Sequence, residues 1–137
     1  MPTDVLIPVI AYPSVSEAVA WLADAFDFRL RWQVGAHRAQ VSVGPTAAIA
    51  IVAGDVAVGA DHVMVRVAGI DAHRARAERA GARVTDIGDY PYGERQYSAT
   101  DYAGRTWVFT ESVADLAPAD WGATVTSVSE GGSPHPT

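Results

Sequence analysis

The chain has no cysteine and no lysine among its 137 residues. The first absence removes disulfides, thiolate catalysis and Cys-based zinc or iron–sulfur sites; the second removes Schiff-base chemistry. Long apolar runs are missing too: no stretch approaches the roughly 20 residues that a bilayer span requires. The start Met1-Pro2-Thr3-Asp4 carries neither a basic nor an apolar leader segment, so a cytoplasmic location with no membrane partner is expected. Positive charge is scarce. Ten Arg face sixteen carboxylates for a net charge of −6, and no Arg cluster with interleaved aromatics offsets it, so nucleic acid is not an expected partner.

What is present fits one domain, residues 1–121, followed by a Ser-, Gly-, Thr- and Pro-rich stretch, 122–137, expected to be disordered. The apolar run Val5 to Ala11 reads as a strand with Pro8 at an edge or irregularity. Ser14 and Glu17 have capping-box spacing ahead of Val15, Ala18, Val19, Leu22, Ala25 and Phe26, which recur at helical spacing. Phe28 to Val34 alternates apolar and polar residues, and Ala39–Val43 and Ala47–Val52 add two strands around the Gly44-Pro45 break. After a small-residue linker the order repeats. His62–Ala68 reads as a strand, Asp71 caps a charged helix to about Ala80, Arg83–Ile87 is a strand, and Arg95–Thr100 with Thr106–Thr110 forms a hairpin over Asp101-Tyr102-Ala103-Gly104. A shift of 54 positions superposes the halves, about 5–54 and 61–112, and sets Pro8 on His62.

This doubled βαβββ pattern resembles the vicinal oxygen chelate superfamily, which includes glyoxalase I, extradiol dioxygenases, and fosfomycin and bleomycin resistance proteins. The stretch Tyr92-Gly93-Glu94-Arg95, followed by a strand, an Asp-x-x-Gly turn and Trp107-Val108-Phe109, is its most specific portion. The resemblance implies an α+β fold of two βαβββ modules, each a mixed sheet cupped around a cavity, and a homodimer as in many members. It also implies four metal-ligand positions, one on the first and one on the last strand of each module. Those positions fall on Pro8, on His62, on a strand without any donor (Ala47–Val52), and on Val108. One imidazole does not hold a divalent ion without other ligands, so no metal and no cofactor is expected.

Strand parity carried over from Pro8, His62 and Val108 puts Tyr12, Arg66, Gln96, Ser98 and Thr106 on the cavity side, and Trp107, Phe109 and Tyr97 in the core. Arg66 in a cup suits an anionic or carbonyl-bearing ligand, with a salt bridge to a neighbouring carboxylate as the equal alternative. Trp32 offers an aromatic wall on a face that alternation alone does not assign. Tyr90-Pro91-Tyr92 reads as a pocket rim or a rigid turn, and Glu94 as a neighbour of Gln96 in the cup. Two function classes follow. One is a metal-free protein binding a small hydrophobic or aromatic molecule through Tyr12, Trp32, His62, Arg66, Gln96, Ser98, Thr106 and Val108, as a sequestering resistance protein. The other is a glyoxalase-like lyase or isomerase in which His62, Glu94 or Tyr12 moves a proton.

Overall fold

The computed structural model describes residues 6–56, 61–91 and 93–113. The expected tail, 122–137, and Tyr92 lie outside them. Module one runs β1 (Val9–Tyr12), α1 (Val15–Phe26), β2 (Arg29–Val34), β3 (Arg38–Val43) and β4 (Ala47–Ala53). Module two runs β5 (Val63–Arg66), α2 (Ile70–Arg79), β6 (Arg83–Val84), β7 (Gly88–Tyr90), β8 (Glu94–Thr100) and β9 (Thr106–Ser112). The sheets are ordered β1-β4-β3-β2 and β5-β9-β8-β6, with β7 also beside β8. In each sheet the first strand pairs parallel to the last and the other pairs are antiparallel, so the fold is the expected α+β arrangement of two mixed sheets.

Local chemistry sets the element ends. The Ser14 hydroxyl accepts the Glu17 N–H at the start of α1, and Asp27 closes the helix in the left-handed region (φ 62°) with its N–H donating back to Ala23. Asp71 does not cap α2. Gly69 is the cap residue (φ 65°), and because glycine has no capping side chain, Glu111 from β9 accepts the N–H groups of Gly69 and Ile70 instead. Of the segment expected as one strand, Arg83–Ile87, the structure keeps Arg83–Val84 as β6; Thr85 meets the backbone of Ser98 through its hydroxyl and its N–H, and β7 begins beyond the segment at Gly88.

The 54-residue shift is off by one. The helices begin 55 residues apart, at Val15 and Ile70, and burial agrees: Ile10 and Tyr12 are buried in β1, whereas Val65 is buried and Met64 exposed in β5. A slip of one residue exchanges the faces of a strand, so Tyr12, expected in the cavity, belongs to the core. His62 then matches Ile7, and Pro8 precedes β1 altogether.

Both modules bury their helix-side faces in a single core. Phe26 and Phe28 of module one meet Trp107 of module two at ring-centroid distances of 5.7 and 5.4 Å, and Phe26 meets Phe109 at 4.7 Å. At the centre is the buried carboxylate of Asp101. Its Oδ2 accepts the Tyr12 hydroxyl at 2.6 Å and Trp107 Nε1 at 3.0 Å, and its Oδ1 accepts the N–H groups of Ala103 and Arg105. The Asp101-to-Gly104 turn closes β8 on β9 as expected. His73 of α2 stacks on Phe26 at 6.0 Å and meets Phe109 at a tilt at 4.2 Å, with Nδ1 paired to the Tyr97 hydroxyl.

Removing Asp101 orphans two buried donors on different strands. Asp101→Ala is expected to cost about 3 kcal/mol, read as a lower urea midpoint at constant m-value. Burial, reinforced by Arg76 and opposed by Asp27, lowers the His73 pKa to about 4, against about 6.5 unfolded. The unfolded chain therefore takes up this proton first as pH falls from about 6.5 to about 4. The contribution is complete above that window and lost through it, by at most about 3 kcal/mol and less for a partly solvated ring. Comparing melting temperatures at pH 7 and 4.5 checks it, and His73→Phe is expected to shrink the difference.

Candidate functional site

The face of each sheet opposite the helices forms a cup. In module one the cross-strand row Val9, Ala50, Gln40 and Trp32 shares this face, with Ala48 and Ser42 in the next row. The irregularity between Leu30 and Trp32 turns Trp32 to the side of Gln40, which settles its orientation: it stands on the cup face and is 41% exposed. Ala48 and Ala50 on this face are themselves about 1% exposed, so Trp32 marks its open part. Arg31 Nε donates to Ser42 Oγ at 2.7 Å and fixes the polar edge.

In module two the rows are Met64, Val108 and Ser98, then Arg66, Thr110 and Gln96. A cavity of about 490 Å³ opens on this face, lined by His62, Met64, Gln96, Ser98 and Val108 together with Asp86 and Tyr90. Four expected residues, His62, Gln96, Ser98 and Val108, thus meet in one place. Tyr90 stands at its wall, held in β7 opposite Glu94 rather than on a free loop. Thr106 shares the face, paired with Thr100 one row beyond the lining.

Arg66 and Glu94 are neighbours. Thr110 Oγ1 donates to Glu94 Oε1 at 2.7 Å, and Arg66 Nη2 reaches the same oxygen at 3.4 Å, with the Arg66 side chain 55% exposed above a carboxylate that is 4% exposed. Of the two readings of Arg66, the structure shows the salt bridge, with the rest of the side chain open to solvent. Tyr12 is the residue that leaves the site, its hydroxyl spent on Asp101. Met64, Thr85 and Asp86 join it. Met64 shares the alternation of His62 and Arg66 and was legible from it; Thr85 and Asp86 sit in the break between β6 and β7, where no periodicity operates.

The side chains at the four family positions do not fit a metal ion. Val108 and the Ala48–Ala50 stretch bring no donor, and among the described residues no group of three or more His, Asp or Glu is placed to hold one. No helix among the described residues is long and apolar enough to cross a membrane.

No family model and no curated protein matches the sequence. Solved structures do. TioX from Micromonospora sp. ML1 is 28% identical, with a TM-score of 0.65 over 78% of this chain and 97% of that one. The bleomycin-binding protein from Streptomyces verticillus, complexed with copper(II)-bleomycin, is 21% identical with a TM-score of 0.59 over 77% and 93%. The fosfomycin resistance protein FosX from Listeria monocytogenes, complexed with manganese(II) and sulfate, is 12% identical with a TM-score of 0.67 over 82% and 92%.

The two tryptophans on opposite faces should separate in stability. Trp32→Phe is expected to change the urea unfolding free energy by under about 0.5 kcal/mol, and Trp107→Phe to lower it by about 2 kcal/mol or more through lost volume and an unpaired Asp101 oxygen. Equal effects would return Trp32 to the core.

Proposed function

We propose that the chain, which shares the fold of glyoxalase-related, fosfomycin resistance and bleomycin-binding proteins, belongs to the vicinal oxygen chelate superfamily and is a metal-free binding protein for a small amphipathic aromatic molecule. The observation that carries this reading is the cup of module two: a cavity of about 490 Å³ with an apolar floor of Met64 and Val108 and a few directed polar groups, His62, Gln96 and Ser98. A concave apolar surface with a small number of polar groups is the usual make-up of a small-molecule site. The cup face of module one supplies the exposed indole of Trp32, suited to a flat ring.

The working unit is a homodimer in this reading. Val9, Trp32 and Val34 on one cup and Met64 on the other remain 41% to 60% exposed, more apolar surface than a ligand-burying pocket leaves open. Sequestration of the kind named for the bleomycin-binding relative is the activity this arrangement serves, with the ring against Trp32 and the polar end toward His62 and Arg66.

The lyase or isomerase reading keeps one proton carrier. Tyr12 is bound to Asp101 in the core and Glu94 Oε1 is held by Thr110, so only His62 faces the cavity, with Asp86 on the same wall. A product that accumulates with time and is lost in His62→Ala would favour it.

Titration with copper(II)-bleomycin, followed by calorimetry and tryptophan quenching, tests the binding reading. Saturable binding without turnover, two ligands per dimer, is expected, with Trp32→Ala weakening it about tenfold, about 1.4 kcal/mol. If neither this probe nor a panel of planar aromatic natural products quenches the fluorescence, the reading falls.

A further inference from the structure

A second cavity, of about 360 Å³, lies between the modules; it shares no lining residue with the 490 Å³ cavity, although Arg66, which lines it, also stands on the cup face of β5. Phe26 and Phe28 from module one and Val65 and Val67 from module two make its apolar walls, and the Gly44-Pro45 turn bounds it. Its polar lining has an excess of donors. Arg29 and Arg66 both reach it, each engaged only in a 3.4 Å ion pair and each more than half exposed, whereas Asp27 is its one carboxylate and is already shared between Arg29 and Arg76. His73 completes the set. Its Nδ1 is paired with the Tyr97 hydroxyl, and in the tautomer in which that hydroxyl donates, the imidazole proton sits on Nε2, an atom buried without a hydrogen-bond partner among the described residues. The Phe26 carbonyl beside the ring favours its protonated form.

We propose that this inter-module cavity is a second binding site, taking a small aromatic carboxylate. Two phenyl rings and two valines suit a flat ring, and an unpaired buried N–H with two guanidiniums suits a carboxylate, which accepts from all three. A buried donor left unmade carries a desolvation cost, so the ligand supplies an interaction that the free protein forgoes. Because the walls come from both halves, an occupant bridges module one to module two. Arg66 and Ser42 also stand on the cup faces, whereas Phe26, Phe28 and His73 do not, so signals from His73 report this site and signals from His62 and Ser98 report the cup.

Benzoate is the probe. At pH 7, where His73 is neutral, titration of the isotopically labelled full chain is expected to shift the His73 ring protons and the Val67 methyls saturably, leaving the His62 ring and Ser98 unmoved. Benzyl alcohol, which keeps the ring and drops the charge, is expected to bind at least tenfold more weakly. His73→Phe preserves the stack and removes the donor, and is expected to weaken benzoate at least tenfold with an unchanged tryptophan emission spectrum. Should that variant fail to fold, Arg29→Gln, at an exposed side chain, is expected to give a threefold or greater loss. Shifts confined to cup residues, no saturable shift at all, equal affinity for benzyl alcohol, or variants that bind as well as the native chain would each overturn the proposal.

Discussion

The carboxylate of Asp101 is the constraint on which the rest of the molecule hangs. A buried ionised carboxylate costs several kcal/mol unless donors surround it. Here four do, and they come from three places: Tyr12 in β1, Trp107 in β9, and the backbone of the turn between β8 and β9. One side chain therefore shapes the hairpin, orients the largest core residue and joins the two modules. Arg105 extends the junction, stacking over the Tyr12 ring at 5.4 Å and donating to the Ala11 carbonyl. With the end of β1 pinned beside the start of β9, the helix-side faces have only one way to bury themselves, against each other. The cups are what remains.

That division explains which features the residues announced and which they did not. Helix α1, the hairpin turn and the alternation of β8 and β9 were legible because each rests on local chemistry: a cap at Ser14, an Asp and a Gly at the right turn positions, and period-two burial of Tyr97, Ala99, Trp107 and Phe109. The facing of β1 was not. Every residue of Val9–Tyr12 is apolar or aromatic, so alternation carries no signal and the assignment leaned on a repeat whose register was one residue out. The cap of α2 was hidden for a different reason, since Glu111 lies 41 residues beyond the helix start it serves. Long-range partners leave no mark in a local pattern. The same holds for Trp32, whose face depends on an irregularity in β2 that the alternating letters conceal.

The two modules share a helix-side chemistry and differ on the other face. Module one carries Val9, Trp32, Ala48 and Ala50 on its cup face; module two carries His62, Arg66, Gln96, Ser98 and Thr110 on the equivalent surface. The core side is constrained by packing, where a change of one methylene is felt. The cup side is constrained only by what fills it, which is why identity of fold with proteins as different as FosX leaves the occupant to these side chains.

Arg66 shows how far that freedom extends. Its guanidinium is the one cation on the cup face of β5, and Glu94 beneath it is nearly closed to water. If a ligand anion drew Arg66 fully away, the carboxylate would be left with Thr110 as its single described donor, and an uncompensated buried charge is costly. A ligand that binds here must share the guanidinium with Glu94. Geometry allows this, because the existing contact uses one terminal nitrogen at 3.4 Å and leaves the other donors of the fork unspent. The pair thus favours a single charge or a carbonyl over a dianion, whose stronger pull would compete with Glu94 for the same nitrogen. In the binding reading proposed above, selectivity in the polar cup would then rest on Glu94, a carboxylate set behind the guanidinium.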